Sequence, residues 1–200
     1  MAPLPSPLLA DQFAPRFEFG RTDHVVVAAD PTSAFQAVHD LDLTDLHGFL
    51  VTAAVRLREL PETWRERHRR TPRQRTRLTI NDLAAGSDWV LLGEQPGQEI
   101  VFGAIGKVWQ PIVRWVPVEE ARDFMDFAEP GYAKVVCSIS VLPYGQRRSL
   151  VTAEMRVVLT DPHAWLNFRR YWRISTPFVG IISRAVLRTV KHSAETGGLR

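Results

Sequence analysis

The sequence predicts an α+β protein in which a curved antiparallel sheet wraps around one long, kinked C-terminal helix. Three observations carry that expectation. Large apolar side chains recur at helical spacing from Asp161 to about Glu195, with Trp165, Phe168, Trp172, Val179, Ile182, Val186 and Val190 on one stripe. Between Trp89 and Thr160 a series of short, β-rich segments is punctuated by turn chemistry. Connections that short make neighbouring strands antiparallel, so the chain reads as a meander closed by a helix.

The long helix opens on Asp161, which can cap the first turn, and on Pro162, whose missing N–H costs nothing there. Tyr171, Ile174, Phe178 and Ile181 are read as widening its apolar stripe, and Arg169, Arg170, Arg173, Arg184, Arg188 and Lys191 as lying largely outside it. Pro177 should kink it, because proline removes one backbone bond and clashes with the carbonyl a turn earlier. At 1.5 Å per residue such a helix is on the order of 50 Å long and needs a broad apolar partner.

Earlier in the chain, residues 1–21 hold four prolines without period and read as an irregular arm. His24–Ala29 is a short strand. Asp30-Pro31 repeats the capping device and opens a helix with Phe35 and Val38 inward, and a second short helix is expected from Leu46 to Leu60. Residues 61–77 lack apolar periodicity apart from Trp64 and read as an exposed basic loop, or a short helix ending before Pro72, inserted in one domain spanning 22–195, with 196–200 as a tail. Strands are expected at Trp89–Leu92, Glu99–Trp109, Ile112–Val116, Tyr132–Leu142 and Leu150–Thr160, with a short helix at Pro117–Phe127. In the last strand Val151, Ala153, Met155, Val157 and Leu159 alternate with Thr152, Glu154, Arg156 and Thr160, the pattern of a sheet with one oily and one wet face.

Composition narrows the class. Two hundred residues, 45% hydrophobic and 24% charged, suit one globular domain that buries roughly 70% of its unfolded surface. The single cysteine, Cys137, excludes an internal disulfide and any cysteine-rich metal site. The N-terminus lacks the basic start and apolar core of a secretory signal, and no run reaches the roughly 18 apolar residues of a membrane span, so a cytoplasmic location is the expectation. The net charge of +3 hides an asymmetry: residues 56–77 hold nine arginines against three glutamates, +6, and the remainder sums to −3.

The order of elements resembles the helix-grip fold of the SRPBCC superfamily, the START-like and birch-pollen-allergen-like proteins. The stretch from Phe127 to Val135 (FAEPGYAKV), Glu154-Met-Arg156 running into Thr160-Asp161, and Arg170-Tyr-Trp172 with Pro177-Phe178 resemble uncharacterised bacterial members. The likeness spans about residues 22–195, and the arginine-rich insertion departs from compact members. What it implies is a cavity between sheet and long helix that binds an apolar or amphipathic ligand, with ring cyclisation catalysed in some members. It supplies no family-wide catalytic residue.

Elementary packing supports the cavity. A curved sheet cannot lie flat on a rod, and an empty hole of roughly 300 Å³ would cost about 7 kcal/mol, comparable to a domain's whole stability. Side chains, water or a ligand should fill it. Phe102, Trp109, Trp115, Met155, Trp165, Phe168, Tyr171 and Trp172 are the candidate wall for a flat apolar molecule; for any one of the aromatics the plainer reading is that it simply fills the core. Glu154, Arg156 and Tyr132 are the polar candidates, with a solvent-facing Glu154–Arg156 ion pair as the plainer reading. An enzyme of cyclase or dehydratase type would draw its proton donor or acceptor from Tyr132, Tyr144, Tyr171 or Glu154. A third reading is an interaction module whose anionic partner meets Arg65, Arg67, Arg69, Arg70 and Arg73, although no nucleic-acid-reading motif accompanies them. The six histidines show no metal-ligand spacing, Gly103-Ala-Ile-Gly106-Lys107 lacks the spacing of a phosphate loop, and no catalytic constellation, cofactor motif or GxSxG stands out.

Overall fold

A computed structural model describes residues 8–41 and 89–197. In chain order these form α1 (Ala10–Phe13), β1 (Phe19–Val27), α2 (Pro31–His39), β2 (Val90–Gln95), β3 (Glu99–Gly106), β4 (Trp115–Val116), α3 (Ala121–Asp126), β5 (Ala133–Pro143), β6 (Ser149–Leu159) and α4 (Pro162–Gly197). The architecture is α+β, with an open six-stranded antiparallel sheet packed against the long α4. The strand order is β1-β6-β5-β3-β2, with β4 pairing the end of β3. The expected second helix at 46–60 and the basic loop at 61–77 fall outside the described residues.

The two long strands follow from their alternation. β5 and β6 pair over their full eleven residues each, from Ala133 opposite Leu159 to Pro143 opposite Ser149. The turn joining them places Gly145 at φ 68° and Arg147 at φ 54°, in the left-handed region that glycine enters without strain. β3 is buried along its whole length, so both faces of the sheet are covered along this strand. Toward α4 it presents Ile100, Phe102 and Ala104. Toward the other side Val101 and Ile105 meet α1 and α3 through Ala10 and Phe124.

That second cover corrects the one-oily, one-wet expectation. Residues 8–14, read as part of an irregular arm, lay Leu9, Ala10, Phe13 and Ala14 over Val90, Leu92, Val101 and Val136. The first strand also begins at Phe19 rather than His24. Its inward positions are Phe19, Arg21, Asp23 and Val25, and two charges in that series erase the apolar alternation that marks a strand in sequence. Backbone pairing with β6, from Phe19 opposite Val157 to Val27 opposite Ser149, holds it in place. β3 ends at Gly106 and β4 is only two residues long, shorter than expected, because residues 107–114 turn between them.

Both capping devices form. Asp30 accepts hydrogen bonds from the Ser33 amide (3.1 Å) and hydroxyl (2.8 Å). Asp161 accepts from the amides of His163 (2.7 Å) and Ala164 (3.0 Å) and of Gly131, whose φ of 86° turns its N–H toward the carboxylate. These bonds, that from Ala164 foremost, hold the Asp161 carboxyl below its usual range. α4 runs as one helix through Pro177, which is exposed and has no N–H to offer the Arg173 carbonyl one turn back. Phe168, Ile182, Val186 and Val190 are buried, and Trp165, Trp172 and Val179 half-buried, as the stripe required. Ile174 and Ile181 depart from the expectation: they are 62% and 49% exposed.

Candidate functional site between sheet and helix

The helix runs alongside the edge strand β1. Phe19 packs on Phe168 (ring centroids 5.0 Å apart) near one end, and Arg21 lies against Gly180 further along. At the far end Lys191 Nζ donates to the Val26 carbonyl (2.8 Å) and Glu195 accepts from the Ala28 amide (2.8 Å). α4 therefore rests on β1, β6 and α2. The inner face of β5 and β3 lies further across the sheet.

Strand register fixes what that face carries. One row across five strands reads Leu91, Phe102, Cys137, Met155 and Arg21, and the next reads Ile100, Ile139, Ala153 and Asp23. The ends of β5 and β6 are closed: Val135 and Val157 are 7% and 1% exposed, Val141 and Val151 1% and 0%. Between them Cys137, Ile139, Ala153 and Met155 are only half-buried. The middle of the inner face is less fully covered than either end. Burial pushes the Cys137 thiol from 9.0 up to about 12.

Seven of the eight predicted wall residues come together at one end of this band. Trp109, Trp115, Met155, Trp165, Phe168, Tyr171 and Trp172 share a cluster; Phe102 belongs to the neighbouring cluster, beside α2 and the far half of α4. Phe168 is its hub. Its ring stacks on Trp172 (5.6 Å), meets Trp109 edge-on (6.4 Å) and touches Tyr171 (5.8 Å), and it is 2% exposed. So complete a burial makes Phe168 core. Trp172, Met155 and Trp115 keep accessible surface.

The polar candidates sit elsewhere. Glu154 and Arg156 alternate with Met155 and point from the outer face of the sheet, and Tyr132 packs on Phe127 (5.2 Å) beneath Lys107 on that same side. Arg156 is buried at 7% exposure rather than solvent-facing. It donates to Asp11 (2.7 Å), Glu154 (2.9 Å) and the Ala14 carbonyl (3.0 Å), which fastens the N-terminal residues to the sheet. Tyr144, 47% exposed, lies in the turn after β5. Arg65, Arg67, Arg69, Arg70 and Arg73 lie outside the described residues.

The inward polar group is Arg21 with Asp23, which no periodic signal marks in the sequence. Arg21 donates from Nε (2.6 Å) and a terminal nitrogen (2.9 Å) to Asp23, and both are half-buried against α4. Burial pushes the Asp23 carboxyl up, but the Arg21 hydrogen bond and charge outweigh it and hold the group below its usual range. Gly180 makes room: a Cβ there would collide with the Arg21 guanidinium. Among the described residues no group of three or more His, Cys, Asp or Glu is gathered as for a metal. A surface groove of about 510 Å³ between α2 and the β2–β3 turn, lined by Phe35, His39, Asp40, Glu94 and others, includes none of the predicted residues.

No family model matches the chain, and no curated protein matches it. Among solved structures, the chain is similar to the Mll3558 protein from Rhizobium loti at 12% identity and a TM-score of 0.37, covering 88% of this chain and 96% of that one. It is also similar to the TTHA0849 protein from Thermus thermophilus at 10% identity and a TM-score of 0.30, covering 90% and 99%. No described helix is long and apolar enough to cross a membrane.

Proposed function

We propose that the protein binds a small apolar or amphipathic molecule between the inner face of the sheet and α4. The supporting observation is the band formed by Cys137, Ile139, Ala153 and Met155, half-buried and incompletely covered between two packed ends. Apolar walls supply affinity through area removed from water, and a few polar groups set orientation. Arg21 and Asp23, in register with Met155 and Ala153, are the groups that would meet the polar end of such a ligand. The resemblance to the SRPBCC superfamily and its helix-grip fold belongs to this reading and agrees with it.

A cyclase or dehydratase activity is the weaker reading. Of its four candidate proton carriers, Tyr132 and Glu154 lie on the outer face and Tyr144 in an exposed turn; Tyr171 alone stands on the helix side. Fluorescence titration with N-phenyl-1-naphthylamine tests the binding proposal. Saturable binding at one molecule per chain, weakened in Met155→Trp, is the expected result; no saturable enhancement in the wild-type chain would overturn it.

A further inference from the structure

The outward side of α4 carries a pattern that neither the sheet nor the proposed interior site uses. Leu166, Ile174 and Ile181 are 53%, 62% and 49% exposed and follow one another at eight and seven residues, about two helical turns each. Arg170, Arg173 and Arg188 are exposed on the same side. No carboxylate among the described residues is ion-paired to any of the three. Arg184, between them, donates to the Gly180 carbonyl one turn back (2.8 Å), and its charge also acts on Asp23. From Pro162 to Gly197 the helix holds six Arg or Lys and a single acid, Glu195, which lies near the far end. From Leu166 to Arg188 the stripe is about 33 Å long and mixed in chemistry along its whole length.

We propose that this stripe docks the protein on an anionic lipid surface, with the arginines on headgroup phosphates and the three aliphatic side chains in the headgroup–acyl boundary. The mixture decides the occupant. Guanidinium groups recognise phosphate bidentately, and a basic stripe alone would suit any polyanion. Nucleic acid, however, offers a charged backbone and no layer for isoleucine and leucine standing between the arginines. A bilayer interface offers both at the depths a helix face reaches, about 5–10 Å. Single exposed aliphatics are ordinary on any protein; three in register beside Arg170, Arg173 and Arg188, which have no ion-paired acid among the described residues, are not. The inference stands apart from the interior site: docking requires only the outer surface of α4, loaded or empty.

Co-sedimentation of the full chain with vesicles of phosphatidylcholine containing about one third phosphatidylglycerol tests it, with pure phosphatidylcholine vesicles alongside. The expected result is binding to the anionic vesicles that falls with salt and is weak or absent on neutral ones. Ile174→Ser with Ile181→Ser, and separately Arg170→Glu with Arg173→Glu, should each weaken it by roughly tenfold or more while circular dichroism stays that of the wild type. A five-fold substitution of Arg65, Arg67, Arg69, Arg70 and Arg73 by glutamine separates this stripe from the basic segment. Should that variant abolish binding while both α4 variants bind normally, or should the wild type ignore anionic vesicles, the proposal is overturned. Binding to single-stranded oligonucleotide that both α4 variants lose, with no binding to vesicles, would overturn it in favour of a nucleic-acid face.

Discussion

The inner face of the sheet meets α4 mainly through aliphatic and aromatic side chains; among the described residues it carries the charged pair Arg21 and Asp23, and α4 adds Lys191 and Glu195 at the far end. The outer face holds Glu99, 0% exposed, and Arg156, 7% exposed, beneath residues 8–14. Glu99 accepts from the amides of Leu9 and Ala10, and Arg156 reaches Asp11 and the Ala14 carbonyl, so two buried charges fasten a short segment lacking length for a core of its own. One side is held by area, the other by a few charge-assisted hydrogen bonds around a small apolar patch. Area-held contacts lose stability in proportion to what is removed, whereas charge-held ones fail when a single partner leaves the other buried and unpaired.

Substitutions on the two sides should therefore fail differently. The largest effect is expected from Phe168→Ala, which opens a hole at the hub of the aromatic cluster and should cost about 3–5 kcal/mol in chemical denaturation. A loss under about 1 kcal/mol would show that the cluster is loosely packed. Arg156→Ala comes next, at about 1–3 kcal/mol, since Asp11 is half-exposed and can rehydrate while Glu154 and the Ala14 carbonyl lose a donor. Its signature is local: limited proteolysis should cut near residues 8–18 well before the sheet unfolds. Equal protection in variant and wild type would mean that the apolar contacts of Leu9 and Phe13 hold the segment unaided.

A smaller effect comes from Glu99. Burial raises its carboxyl above the ordinary 4.5, so the folded state binds the proton more tightly than the unfolded one. Its contribution is present in full below 4.5 and is lost as pH rises through the higher folded value. Asp30, Asp161 and Glu195 are shifted the other way, favouring the fold above their ordinary values, and they are common to wild type and variant. In urea midpoints taken from pH 7 down to 4.5, wild type should gain on Glu99→Gln as pH falls; a constant difference would contradict the raised carboxyl. The smallest perturbation is chemical labelling of Cys137. With its thiol at about 12, the rate with methyl methanethiosulfonate should climb about tenfold per pH unit from 8 to 11. A plateau near the ordinary 9.0 would place the sulfur in water.

How much of this was legible in the chain divides along the same line. The α4 stripe, the two Asp-Pro caps and the alternation in β5 and β6 are periodic signals, and each element formed where period and cap agreed. β1 was half visible, because Arg21 and Asp23 occupy inward positions where the alternation required apolar residues. The outer cover was invisible for a physical reason. Four apolar residues among prolines carry no period, and a glutamate in a strand announces nothing until register shows what lies above it. Glu154 and Arg156 were correctly placed on one face; that this face is covered depends on a segment about 140 positions away in sequence. Ile174 and Ile181 were drawn toward the stripe by their chemistry, yet at 100° per residue they fall nearer the arginine side.

Ala153→Leu probes the partly uncovered middle of the inner face most directly. If the band between Ala153, Met155, Cys137 and Ile139 has room, the added methylenes should be accommodated, with an unchanged or raised melting temperature and weakened N-phenyl-1-naphthylamine binding. A loss of about 1–3 kcal/mol, the ordinary penalty of overpacking, with dye binding unaltered would contradict it.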